Sequence, residues 1–403
     1  VNLEAKQHEG REQDWTATVV DNLEDIERIR PVWEQMHSAQ SYPTLNAEVG
    51  RFTTFVRNAD RQVTPHIVLV SHGDRAVAMI IGRIEKAPLS CKIGYKSLWS
   101  PELKRLAVVY GGVIGQLDRG VCEFIVEHLF GILSSGVVDV VFFNHLPVDS
   151  LIYKAARSAP TFLCRDYFPV VEPHWRTAVA NSPDEFWAGL SSSRKRYLKR
   201  YMGKLETKTD GAIRIEVYRD EAEVDSFMDV ASQISHLTYK AGAGFSFDDT
   251  PLNRSLIRQA AKSGMWSGHV LFAGEQPCAF DFGVRCGSNY VGQHIGYDPQ
   301  WSSCSPGTVL FIKLLEELSK DPFVRNFDFG FGPSEYKDRF GTDSWPEASL
   351  YLFAPKLRPV LVNSVRSVLT GGSLVAIGLL RRLCLLGVIK RRWRETLQAK
   401  SAR

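Results

Sequence analysis

Asp281 and His294 stand on two stretches, CAFDFGVRC and NYVGQHIGYDP, that read as the arms of one β-hairpin. The intervening Gly287 and Ser288 suit a two-residue type II′ turn, with glycine supplying the positive φ. That register pairs Cys286 with Asn289, Arg285 with Tyr290, Gly283 with Gly292, and Asp281 with His294. Side chains alternate across a strand, so the last three pairs share one face. A carboxylate opposite an imidazole orients the ring and raises its basicity, as general-base chemistry requires. Facing glycines leave the backbone open to close approach. The same face also fits a solvated surface with His294 as a structural histidine, and a slip of one residue would part the pair. The opposite face, with Phe280, Phe282, Val284, Val291 and Ile295, reads as core.

Just downstream, Ser305, Pro306 and Gly307 open a helix: serine as N-cap, proline at the first helical position, glycine allowing close approach. Such a terminus presents amide protons and the positive end of the helix dipole, which suits phosphate, although many helices that begin this way bind nothing. Asp328 ends the next strand, where a carboxylate fits either a sugar hydroxyl or amine, or a cap on the following Gly-Phe-Gly-Pro loop. Lys337 fits an anionic donor or acceptor, and equally a surface lysine. Arg196, Lys199 and Arg200 share one face of an earlier helix and fit a phosphorylated acceptor or a solvated face. Cys304 has no activating partner beside it, so a nucleophile role is not expected.

The elements that must position these residues follow a plan that occurs twice. HIVLVSHGDRAVAMIIGRIE reads as a hairpin, RLAVVYGGVIG as a strand, RGVCEFIVEHLFGIL as a helix and VVDVVFFNHLP as a strand. The second pass runs through three hairpin-linked strands from His269 to Pro299, the helix GTVLFIKLLEELSK and the strand VRNFDFG. Each half opens with a helical pattern, LEDIERIRPVWEQM and DEFWAGLSSSRKRYLKRYMGKLE. A diverged duplication accounts for this order, with a boundary near Asn181, Ser182 and Pro183. Mixed sheets flanked by helices give an α/β (α+β) class. The expected organisation is a disordered polar N-terminus (1–15), domains at 16–180 and 181–355, and a basic amphipathic helical tail at 356–403.

Composition bounds the rest. With 403 residues, 44% hydrophobic and 23% charged, the chain reads as a globular protein of two domains. A net charge of +4 permits an anionic ligand without demanding nucleic acid. The seven cysteines show no ligand spacing, which points to reduced thiols and to no metal site. The N-terminal stretch lacks the apolar run of a signal peptide, and Ser367 to Leu380 is too short to span a bilayer, so a cytoplasmic protein is expected. The basic tail fits packing against the domain, or contact with an anionic inner-membrane surface.

The ordered set Asp298, Pro299, Ser305, Pro306, Gly307, Leu310, Asp328, Gly330, Gly332, Tyr336 and Lys337 resembles the GNAT-like acyltransferases of the cellulose-biosynthesis-associated CelD/BcsL group. SSSRKRYLKRYMGKLE resembles the Ser-x-x-x-Arg-x-x-Leu-x-Arg helix of that group, and the likeness spans roughly Asp184 to Pro355. It implies two tandem GNAT-like domains, related in plan to the Fem aminoacyltransferases, with acetyl-CoA or another acyl-CoA as co-substrate. By the same resemblance Ser305, Gly307 and Thr308 receive the donor's pyrophosphate, with WSSCSPG standing where the family's Gln/Arg-x-x-Gly-x-Gly/Ala loop is usual. Tyr336 occupies the place of a tyrosine acid for the leaving thiolate, and His294, held by Asp281, is the expected base. Asp328, Lys337, Arg196 and Arg200 are the expected acceptor contacts.

The implied activity is direct N- or O-acetyl transfer to a small or lipid-linked sugar precursor in surface polysaccharide or cellulose biosynthesis. A second reading is a Fem-like enzyme using aminoacyl-tRNA on a peptidoglycan precursor. A third is a non-catalytic scaffold of a membrane polysaccharide synthase.

Overall fold

The computed structural model describes residues 15–93, 96–209, 211, 213–238 and 247–382. The expected disordered segment 1–15 therefore falls outside the described residues except for its last position, and so does the tail beyond residue 382.

The first half runs β1 (Trp15–Val20), α1 (Leu23–Ser38), α2 (Val49–Asn58), β2 (Val63–His72) and β3 (Arg75–Pro88). A small hairpin follows, β4 (Cys91–Ile93) and β5 (Lys96–Trp99), and then β6 (Glu102–Gly115), α3 (Arg119–Ser135), β7 (Val140–Pro147), α4 (Leu151–Ser158) and β8 (Val170–Ala178). Two helices, α5 (Pro183–Gly189) and α6 (Ser192–Lys208), lead into the second half. That half repeats the order: β9 (Ile213–Tyr218), α7 (Val224–Leu237), α8 (Pro251–Lys262), β10 (Trp266–Ala273), β11 (Gln276–Cys286), β12 (Asn289–Tyr297), α9 (Pro306–Leu318), β13 (Asn326–Phe331), α10 (Glu335–Phe340) and β14 (Asp343–Phe353). Apart from the β4–β5 insertion, the two passes correspond element for element.

The central helices show why these segments fold as they do. Asp118 caps α3, accepting from the Val121 amide at 2.8 Å, and Gly136 closes the helix at φ 83°. Between them Val121, Ile125, Leu129 and Leu133 form one buried stripe against the sheet. In the second half α9 occupies the equivalent place, with Leu310, Phe311, Leu314 and Leu315 buried.

All long strands join one 12-stranded sheet in the order β1-β2-β3-β6-β7-β14-β8-β13-β12-β11-β10-β9. The last strands of the two halves are exchanged. β8 pairs antiparallel with β13 of the second half, β14 pairs antiparallel with β7 of the first, and the two pair with each other at the centre. A cut at residue 180 thus separates the sequence repeats but not the hydrogen-bonded sheet.

The tail enters as α11 (Leu357–Arg382), and no described helix is long and apolar enough to cross a membrane. Val362 packs with Leu103 and Val140 of the first half and with Phe353 of β14, and Arg366 forms a buried ion pair with Asp166 at 2.7 Å. Leu357, Leu361, Val368, Leu374 and Val375 stay exposed.

Candidate active site

β12 and β13 run parallel and in register only over Asn289–Val291 and Asn326–Asp328. Beyond that they part, and the divergence opens a cleft of ≈ 560 Å³ lined by Gly292, Gln293, His294, Ile295, Phe311 and Tyr336, among others. From Gly292 onward β12 pairs with no described strand on this side, and that stretch borders the cleft. Such an edge binds an extended, amide-bearing chain much as a sheet edge binds a peptide strand.

The hairpin above the cleft departs from the expected register. Cys286 faces Asn289, Arg285 faces Tyr290 and Gly283 faces Gly292, as the Gly-Ser turn predicts. The ladder then shifts: Phe282 faces His294 and Asp281 faces Ile295, leaving Gln293 as the extra residue of a β-bulge. The bulge moves His294 onto the face of Phe282, where it is exposed and lies against the Phe282 and Phe247 rings, centroids 5.5 and 4.9 Å away. Asp281 turns the other way and is held by His269 of β10, Oδ1 to Nδ1 2.9 Å. The expected Asp281–His294 dyad is therefore not formed. Burial pushes the Asp281 carboxyl up from its ordinary range, and its Oδ2 is buried without a hydrogen bond. Both residues still line the cleft, from opposite faces of the β11–β12 hairpin.

The facing glycines serve the protein's own packing. A Cβ on Gly283 would run into the Tyr290 ring, and one on Gly292 would stand 2.7 Å from Phe327 Cζ. Each glycine makes room for a neighbouring aromatic ring, which here is the close approach that the missing side chain permits.

Tyr336, on α10, is half-buried against Phe329, with centroids 5.7 Å apart, and lines the cleft. Lys337 is also in the lining, yet only 8% exposed. Its ammonium donates to the Phe331 carbonyl at 2.6 Å, so it pins the loop after β13 and is not the surface lysine or open anion contact that the sequence suggests. Ser305 does not cap α9 through its side chain, because it adopts a left-handed backbone, φ 49°, at the end of the preceding 3-10 turn. Its carbonyl already takes the Thr308 and Val309 amides. Around this terminus lies α6, with Arg196, Lys199 and Arg200 exposed and Leu198 buried. Burial pushes the Tyr197 phenol up, but contacts with Ser305 and Arg339 outweigh it and hold the group below its usual value. Tyr197 joins the α9 terminus to the cationic helix, a role that sequence spacing does not reveal.

Asp328 lies elsewhere than expected. It is 3% exposed and out of reach of a sugar hydroxyl. Its carboxylate accepts from Tyr42 at 2.6 Å and from the Gly330 amide at 2.6 Å, and lies 2.7 Å from His174 Nε2. The Gly330 bond is the loop cap that the sequence also allows. The other ring nitrogen of His174 lies 3.3 Å from Glu347, which also accepts from Tyr110 at 3.1 Å and from Trp345 at 2.8 Å. Burial disfavours the imidazolium, but the bonds to Asp328 and Glu347 win and raise His174 to about 9. Burial pushes Asp328 up, but its bonds to His174, Tyr42 and the Gly330 amide win and hold it below its ordinary range.

This buried network sits where the exchanged strands meet, directly behind Phe331, a wall residue of the cleft. Phe331 also stacks on His145, centroids 3.7 Å apart, and His145 lies 3.2 Å from Glu172, another lining residue. His145 holds φ 54°, costly for a non-glycine residue and a pointer to a functional constraint.

Comparisons with known proteins bear on the fold. Residues 192–338 match the family model described as an acetyltransferase (GNAT) domain. The fold is tandem GNAT-like. The structure described as FemX is 8% identical, with a TM-score of 0.52 over 79% of this chain and 95% of that one. A tandem GNAT protein from the clavulanic acid biosynthesis pathway is 11% identical, with a TM-score of 0.50 over 85% of this chain and all of that one (100%). No curated protein matches the chain by sequence at a significant level. In this GNAT-like frame the splayed strands and α9 belong to the matched segment, whereas the His174 network draws all its side chains but Asp328 from outside it.

Proposed function

We propose that this protein is an acyl-CoA-dependent acyltransferase whose donor lies along the open edge of β12. The observation that carries the reading is the parting of β12 and β13 after three paired residues, which opens an aromatic-lined cleft along the edge of β12. A pantetheine-like arm has the amides to bond that edge and the width to enter it. The donor phosphates would lie at the start of α9, near Gly307 and Thr308, with Tyr197 and the α6 cations Arg196 and Arg200 beside them. The GNAT match supports acyl transfer.

Direct transfer forms the bond from the acceptor nitrogen or oxygen to the acyl carbon and breaks the thioester carbon–sulfur bond. His294, at the rim, removes the acceptor proton directly or through a water. Backbone amides of the open β12 edge receive the developing oxyanion, and Tyr336 protonates the leaving thiolate. Asp281 stays in the floor with His269 and does not steer His294. The sugar-precursor acceptor and the cellulose-associated group rest on the sequence resemblance.

The test is thiol release from acetyl-CoA with a panel of amino-sugar acceptors. His294→Ala and Tyr336→Phe are each expected to lower turnover by roughly 10²–10⁴-fold, the usual worth of an acid–base group. Wild-type turnover left intact by both changes would remove these roles. A folded protein that binds no acyl-CoA would turn the assignment toward an aminoacyl-tRNA donor or a scaffold.

A further inference from the structure

A second cavity, of ≈ 320 Å³, lies between the halves, walled by α2 and β6 on one side and by Leu252, Asn253 and Leu256 of α8 on the other. Arg51, Arg83 and Arg105 line it, and no carboxylate among the described residues does. We propose that this cavity binds the anionic group, phosphate or carboxylate, of the acyl acceptor. The acceptor assignment rests on the acyl-transfer reading above, whereas the anion site stands on the cavity itself.

The charges around it do not balance. Behind the wall Glu85, fully buried, is the shared partner of Arg61 at 3.0 Å, Arg83 at 3.3 Å and Arg105 at 2.8 Å. Phe55 and Phe142 lie under Arg83 and Arg105, 4.3 and 5.3 Å from ring centroid to guanidinium, and fix their planes. Arg51 has no carboxylate within ion-pair distance among the described residues, and Glu48 directs its oxygens to the Gly50 and Arg51 amides. Burial drives Arg51 down to about 10, against the weaker pull of Glu48 and Cys286, which marks a cation whose desolvation its neighbours do not offset. A planar guanidinium held this way matches an oxyanion through two parallel hydrogen bonds.

Arg51 also ties the cavity to the donor cleft. Its Nη2 donates to Gln293 Oε1 at 3.1 Å, and Gln293 is the bulge residue that lines the β12–β13 opening. The bulge that breaks the Asp281–His294 pair thus aims an amide at Arg51, and one side-chain pair forms the wall between the two spaces. An acceptor anchored by its anion has its nucleophile directed across that wall. A neighbouring cleft past Tyr42 and Trp345 suits an anion less, since Glu347 lines it and its one arginine, Arg176, already pairs with Asp343 at 2.7 Å.

The experiment titrates the full chain with inorganic phosphate and, separately, succinate, reading calorimetric heat and the shift in Tm. The wild type is compared with Arg51→Met, Asn46→Asp and Gly307→Asp. Asn46 is an exposed lining residue, so its isosteric change adds a negative charge without disturbing the core. Saturable binding of at least one probe is expected, weakened tenfold or more by Arg51→Met and Asn46→Asp, whereas Gly307→Asp removes only phosphate bound at α9 and leaves the binding at the cavity. The tighter probe separates phosphate from carboxylate. Without ligand, Arg51→Met is expected to melt no lower than wild type; if it fails to fold, Asn46→Asp alone decides. No binding to the wild type, equal binding in the cavity variants, or loss only in Gly307→Asp would each overturn the site. Failure of acyl-CoA to bind would defeat the acyl-transfer reading and leave this result standing.

Discussion

At the residue scale His174 carries the sharpest consequence. Its imidazolium is faced by Asp328, Glu347, Tyr42 and Tyr110, and it titrates at about 9 in the folded protein. Because the folded value lies above the ordinary one near 6.5, the stabilisation is complete below that pH and is lost as pH rises toward 9, about 3 kcal/mol in all. The urea midpoint of the wild type should fall across that window. His174→Gln should already be weaker at pH 6.5, by roughly 3–5 kcal/mol for a broken buried ion network, and should lack the fall. Parallel profiles for the two proteins would contradict the assignment. Nothing in VVEPHWRTA marks His174 for this role, since its partners come from four other segments. By contrast His294 was named from the hairpin pattern and Tyr336 from the family resemblance, and both line the cleft.

At the element scale, the hairpin and α9 show what pattern reading reaches and where it stops. The Gly-Ser turn fixed three pairs of the register, yet alternation carries no sign of a bulge, so Asp281 and His294 were assigned to one face when they occupy two. The start of α9 was legible from Ser-Pro-Gly, but the left-handed Ser305 depends on the 3-10 turn before it. The helix terminus itself supports a paired prediction. A Cβ at Gly307 would rest 3.4 Å from the Tyr297 ring, so a side chain fits. Gly307→Asp should stabilise the protein by about 0.3–1 kcal/mol through the helix dipole, while weakening acyl-CoA binding at least tenfold. A variant that is more stable and binds the donor like wild type would take the phosphates away from α9.

At the scale of the whole molecule, the duplication was legible because apolar periodicity repeats, whereas the exchange of β8 and β14 was not. VVEPHWRTA and DSWPEASLYLF carry prolines and charges that dilute a strand signal, and their pairing is with the other half. The exchange predicts that neither half is a folding unit. Residues 181–355 alone lack β8, and their β14 has lost β7, so this fragment should show no cooperative unfolding where the full chain shows one transition. A fragment with a sharp native-like transition would contradict that. The tail contributes in the same way: Arg366→Ala would strand the Asp166 carboxylate, whose side chain is fully buried, and should cost about 3–5 kcal/mol by denaturant titration.

The central claim is that the parted strands hold the acyl donor, and hydrogen exchange across residues 289–297 with and without acetyl-CoA tests it most directly. Saturating acetyl-CoA is expected to slow amide exchange from Gly292 to Tyr297 and to leave the equivalent first-half strand, β6, unchanged. Exchange in that segment that does not respond to saturating donor would contradict the account.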